Sequence, residues 1–130
     1  MKLIFLTIFI VFTSINVTAD DVYKIESAYA NQTSDLQVSS SGTVVKLLSD
    51  DNKGSRHQRF ILKLSNNQTV LVAHNIDLAP KITSLRRGDT VEFNGEYEWN
   101  SKGGVIHWTH HDPAGRHQNG WLKHNGSIYE

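Results

Sequence analysis

TVEFNGEYEW, residues 90–99, alternates without a break. Val91, Phe93, Gly95, Tyr97 and Trp99 fall on one side of an extended chain, and Glu92, Asn94, Glu96 and Glu98 fall on the other. A period of two with one non-polar row fits a strand that faces a core on one side and water on the other. The glycine inside the non-polar row marks a bulge or a barrel corner.

The neighbouring segments extend the pattern. QRFILKL (58–64) points Phe60, Leu62 and Leu64 inward against Arg59, Ile61 and Lys63, and NNQ (66–68) turns it into TVLVAHNI (69–76). GTVVKLL (42–48) precedes them as a third β-rich segment, and Val22 to Ala30 reads as a short helix. After TVLVAHNI comes DLAPKITSLRRGD (77–89), where Pro80 permits at most a short helix or a 3₁₀ turn. Gly88-Asp89 turns into the opening stretch, and NSKGG (100–104) turns out of it into a final strand, VIHWTH. Three consecutive strands, a connector and two more strands predict an all-β fold with a short N-terminal helix. Its form is a small five-stranded Greek-key barrel of OB-fold-like type, with an SH3-like barrel as the alternative.

Residues 1–19 read as a signal peptide: Lys2, an apolar run from Leu3 to Phe12, and Val17 and Ala19 in cleavage-site spacing. The run falls short of the roughly 18–20 residues a membrane span needs. Residues 20–130 are then one OB-like domain, periplasmic or secreted, with no membrane partner after signal removal. Thiolate metal sites and thiol catalysis are excluded, because the chain has no Cys. Lys plus Arg and Asp plus Glu both number 13, so no global field selects a polyanion, but Lys53, Arg56, Arg59 and Lys63 follow one another with no acid between them.

RHQRFILKL, LVAHNIDLAP, GDTVEFNGEYEWN and GGVIHWTHHDPAGRHQNGWL resemble a family of small exported bacterial proteins classed as a domain of unknown function. The resemblance covers nearly all of residues 20–130 and implies no activity, so the chemistry rests on the residues.

Two regions carry it. OB folds bind ligands across strands 2 and 3 and through the loops joining strands 1 to 2 and 4 to 5. Those loops are DDNKGSRH (50–57) and WNSKGG (99–104), which with Arg59 offer Lys53, Arg56, His57 and Lys102 as cations and Trp99 as a stacking ring. The second region is HWTHHDPAGRH (107–117) and its sequel, where His110, His111, Arg116, His117 and Trp121 extend the candidate binding surface. As an extended strand this stretch holds His107 and His111 about 13 Å apart, too far for one ion. D-P-A-G also has the composition of a type I turn, in which Asp112 bonds amides rather than a cation.

These residues predict a binding module rather than an enzyme, with nucleic acid or another anionic polymer as partner and no cofactor. The alternative is a metal-dependent phosphodiesterase. NIDLAP and DPAGR weakly resemble the staphylococcal-nuclease branch of the OB fold, which implies Asp77 as a metal ligand, Arg116 as a stabiliser of phosphate charge and Asp112 as a nearby carboxylate. DPAGR follows the fifth strand here instead of preceding it. A divalent metal, if bound, would draw on His110, His111, Asp112 and His117. A structural or protein-interaction module is the third reading.

Overall fold

A computed structural model describes residues 1–11 and 20–130; the expected cleavage pair Val17 and Ala19 lies outside the described residues. Helix α1 (Val22–Ala30) is followed by β1 (Leu36–Leu47), β2 (His57–Lys63), β3 (Thr69–Asn75), β4 (Thr90–Glu98), β5 (Val105–His107), β6 (Trp121–His124) and β7 (Ser127–Tyr129). Strand order is β1-β2-β3-β5-β4, and β4 pairs back onto β1 to close a five-stranded barrel. All pairings in the barrel are antiparallel except β3 with β5, where Leu71 faces Val105 and Val72 faces Ile106 in parallel. This is the predicted OB-like Greek-key architecture. No helix among the described residues is long and apolar enough to cross a membrane.

Closure depends on β1, which is 12 residues long. Leu36 to Thr43 pair with β4, Thr43 to Leu47 pair with β2, and the register shifts between Val44 and Lys46. That bulge bends the strand around the barrel and turns Lys46 outward. The strand starts six residues before the expected GTVVKLL, because the polar run at Ser39–Ser41 obscures its first half. Ser39 and Ser40 are buried; the acids ahead of the helix take the Ser39 amide and the Ser40 hydroxyl, and the Ser39 hydroxyl accepts from Asn94. Asp21 accepts from the Ser39 amide at 2.8 Å, and Asp20 accepts from the Ser40 hydroxyl at 2.7 Å. A nine-residue helix is marginal alone. Here Val22, Ile25 and Ala28 bury one face of α1 against the barrel core.

The core contains Val38, Val44, Phe60, Leu62, Val72, Phe93, Tyr97 and Ile106. The predicted alternation holds through β2 and through β4 as far as Glu98, and Trp99 is half-buried against the core. Gly104 lies where β5 begins, at φ +105°, and a Cβ there would stand 2.3 Å from the Tyr97 ring. The glycine therefore lets the turn lie on Tyr97, whose hydroxyl donates to the Gly103 carbonyl at 2.9 Å.

One expectation is corrected and one strand pair is added. The last barrel strand stops at His107, because Trp108 takes φ +55° and turns the chain out of the sheet. The extended strand expected to hold His107 and His111 therefore does not continue past His107. Beyond the five-stranded barrel, β6 and β7 make a hairpin around Asn125 and Gly126, with β6 paired to β4. Positive φ at both turn residues, 48° and 80°, is the type I′ geometry that an Asn-Gly pair favours.

Candidate functional site

The outward residues of β2 and β3 form a track whose register sets the order of its chemistry: Lys63 opposite Thr69, Ile61 opposite Leu71, Arg59 opposite Ala73, His57 opposite Asn75. Over its Thr69 end, the bulged part of β1 and the 99–104 loop wall a groove of about 330 Å³. Lys46, Arg59 and Lys102 line it, above a floor that includes Leu48, Ile61 and Leu71, and no acidic residue is among its lining. Arg59 is held in place because its Nε and Nη2 donate to the Ser49 carbonyl at 3.0 and 2.9 Å, which leaves its other N–H groups for a ligand. Asn100 fixes the loop by accepting from the amides of Lys102 and Gly104, both at 2.9 Å. A larger hollow of about 650 Å³, beside Ser41 and Asn67, offers Lys63 as its sole cation and has less chemistry to work with.

At the Asn75 end lies a second hollow, of about 250 Å³, lined by His57, Ala73, Asn75, His107, Trp108 and His110 among others. The Trp108 ring is stacked on His117, with centroids 4.0 Å apart and planes 7° apart.

The structure separates the other candidates. Lys53 lies outside the groove, in a recess that it shares with Asp50, Asp51 and Arg59. Arg56 is engaged by Asp77, whose carboxylate accepts from its Nε at 2.7 Å and from its backbone amide at 2.9 Å. These contacts hold Asp77 below the usual carboxylate range. Trp99 is not a free stacking platform, since its indole N–H donates to the Tyr29 carbonyl at 3.0 Å and fastens the end of α1. Trp121 is half-buried on β6, opposite Asn94.

Asp112 behaves as the turn reading requires. It accepts from the amides of Ala114, Arg116 and His117 at 2.8–2.9 Å, and these bonds hold its carboxyl below the usual range. The Asp112→Ala variant is expected to keep the barrel but speed solvent exchange of those three amides, as read by NMR; unchanged exchange would contradict the assignment. The nuclease-like set is thus left with two carboxylates, Asp77 and Asp112, that are both bound to the protein's own amides, and with an exposed Arg116.

The expected metal quartet also disperses. His110 Nδ1 bonds the His111 carbonyl at 2.7 Å, His111 Nε2 lies 3.1 Å from Glu130, and Asp112 holds its turn. Only His117, among these four, reaches a different cluster: its Nε2 lies 3.3 Å from Glu96. Glu96 pairs in register with His107, whose Nε2 stands 3.1 Å from Glu96 and 3.4 Å from Glu98. Burial, with the neighbouring Asp35 carboxyl, pushes Glu98 above the usual carboxylate range. Gly95 permits the close packing, since a Cβ there would meet the His107 carbonyl at 2.5 Å.

A model of the family described as "Protein of unknown function (DUF3465)" matches residues 6–130. The chain belongs to that family. No curated protein matches it. The DUF3465 barrel therefore carries two features that the residues alone did not assemble. Lys46 was missed because a strand without a bulge would turn it inward, and the Glu96–Glu98–His107 group was missed because it needs the β4–β5 register.

Proposed function

We propose that this DUF3465 protein is an exported binding module for an anionic polymer, with single-stranded nucleic acid the ligand class that suits it best. The observation that carries the reading is the acid-free groove of Lys46, Arg59 and Lys102 on the outward face of β1, β2 and β3. Cations on a rigid sheet track a phosphate backbone, and the hollow at the Asn75 end of the track adds the aromatic surface of Trp108, whose ring is already stacked on His117. Its overall balance of charge, 13 cationic and 13 acidic residues, makes the attraction local to the groove. The apolar run at the N-terminus supports export.

Fluorescence anisotropy with a labelled oligo-dT tests the reading. Three cations on a single strand should give a log K against log [salt] slope of about −2. The triple variant Lys46→Ala, Arg59→Ala, Lys102→Ala should flatten that slope nearly to zero, whereas Lys53→Ala and Arg56→Ala should leave it unchanged. Equal binding by wild type and triple variant would refute the groove.

A further inference from the structure

We propose that Glu96 and Glu98 of β4 and His107 of β5 bind a first-row divalent metal cation such as Zn²⁺, with His117 as the nearest fourth donor. This inference is independent of the groove.

The donor atoms of Glu96, Glu98 and His107 lie within 4.8 Å of one another. A tetrahedral ion with bonds of roughly 2.0–2.1 Å separates its ligand atoms by about 3.3 Å. The His107–Glu96, His107–Glu98 and His117–Glu96 contacts measure 3.1, 3.4 and 3.3 Å. Distances alone would suit hydrogen bonds equally well, but the buried Nε2 of His107 has no hydrogen-bond partner despite its two carboxylate neighbours. Three donor atoms that meet at ion-pair distance around a nitrogen with no well-aligned hydrogen bond are spaced as ligands around a common point.

His117 is prepared in the same sense. A carbonyl oxygen only accepts, so the 2.7 Å contact to the Gln118 carbonyl places the proton on Nδ1 and presents Nε2 to Glu96. Stacking on Trp108 fixes the ring. Imidazole nitrogen with carboxylate oxygen, and no thiolate, selects zinc and its first-row neighbours over Ca²⁺ or Mg²⁺, which take oxygen ligands. The side chains of His107 and Glu98 are about one-third exposed, at 34% and 33%, while His107 Nε2 itself is buried, so the cluster sits just beneath the surface.

The test is calorimetric titration of ZnCl₂ into the protein, purified without a histidine tag and stripped with a chelator. One ion per chain is expected, and Glu96→Gln and His107→Gln should each weaken binding by at least the 10- to 100-fold that loss of even a supporting partner causes. His111→Gln, on the Glu130 side, should bind as wild type. Should the Glu96 or His107 variant fail to fold, Co²⁺ added to the wild-type protein keeps the question answerable, since the site predicts intense visible bands of tetrahedral Co²⁺. Absence of stoichiometric Zn²⁺ uptake, a purely aquo-like Co²⁺ spectrum, or uptake lost in His111→Gln but retained in the other two variants would overturn the proposal.

Discussion

Lowering the pH from about 7 to about 4 is expected to remove about 3 kcal/mol of folding stability through one side chain, His74. His74 points inward from β3 and is fully buried. Its Nε2 donates to the Pro80 carbonyl at 3.0 Å and its Nδ1 accepts from the Thr109 hydroxyl at 2.7 Å. A neutral ring satisfies both bonds, and burial pulls its pKa from 6.5 down to about 4. Between those values the unfolded chain holds a proton that the folded chain does not, so stability is complete above about 6.5 and falls as the pH drops towards 4. His74→Gln should be less stable at pH 7, yet show a flatter dependence across this window in urea unfolding. The carboxyls of Asp77, Asp89 and Asp112, all held below their usual range, titrate at lower pH and act alike in both proteins. Parallel slopes for wild type and variant would contradict the account.

Gly104→Ala should be the more damaging single change at pH 7. The added methyl meets the Tyr97 ring at 2.3 Å, and φ +105° disfavours any L side chain. Overpacking and backbone strain cost about 1–3 kcal/mol each, so the expected loss is about 2–6 kcal/mol, a large part of a typical domain's stability. Gly54→Ala separates the two effects, since Gly54 also has positive φ but nothing lies within 4 Å of its Cβ position. It should cost only about 1–3 kcal/mol from the backbone. Urea unfolding of the two variants checks the ranking, and a Gly104→Ala protein no less stable than Gly54→Ala would contradict the packing described.

Local pattern carried the barrel because its inward rows are apolar and its turns carry recognisable residues. Phe60, Leu62 and Leu64 or Val91, Phe93 and Tyr97 need no tertiary information to be assigned a face. Leu36 to Ser41 gave no such signal, because their buried serines find partners far off in the sequence, Ser39 at Asp21 and Asn94 and Ser40 at Asp20. The Asn125-Gly126 turn was legible, and the β6–β7 hairpin could have been read from it. Trp108 was not legible, since positive φ at a bulky non-glycine residue leaves no mark in the residue pattern.

The candidate site divides in the same way. Arg59 and Lys102 were readable from the strand face and the loop, and the structure brings them together. Lys46 joins them only because of the bulge after Val44. Trp99 and Arg56 had the right residue types, but their polar groups are engaged by Tyr29 and Asp77. Glu96 and Glu98 were placed correctly on the outward row, but their meeting with His107 depends on strand register.

NMR amide mapping with oligo-dT at low salt tests the proposal that an anionic polymer lies along the β2–β3 track. Shifts are expected to run from Lys46, Arg59 and Lys102 through Ala73 to Trp108, and to vanish together as salt is raised. Saturable binding whose shifts fall instead around Arg116 and the β6–β7 hairpin, leaving Arg59 and Lys102 unmoved, would contradict it.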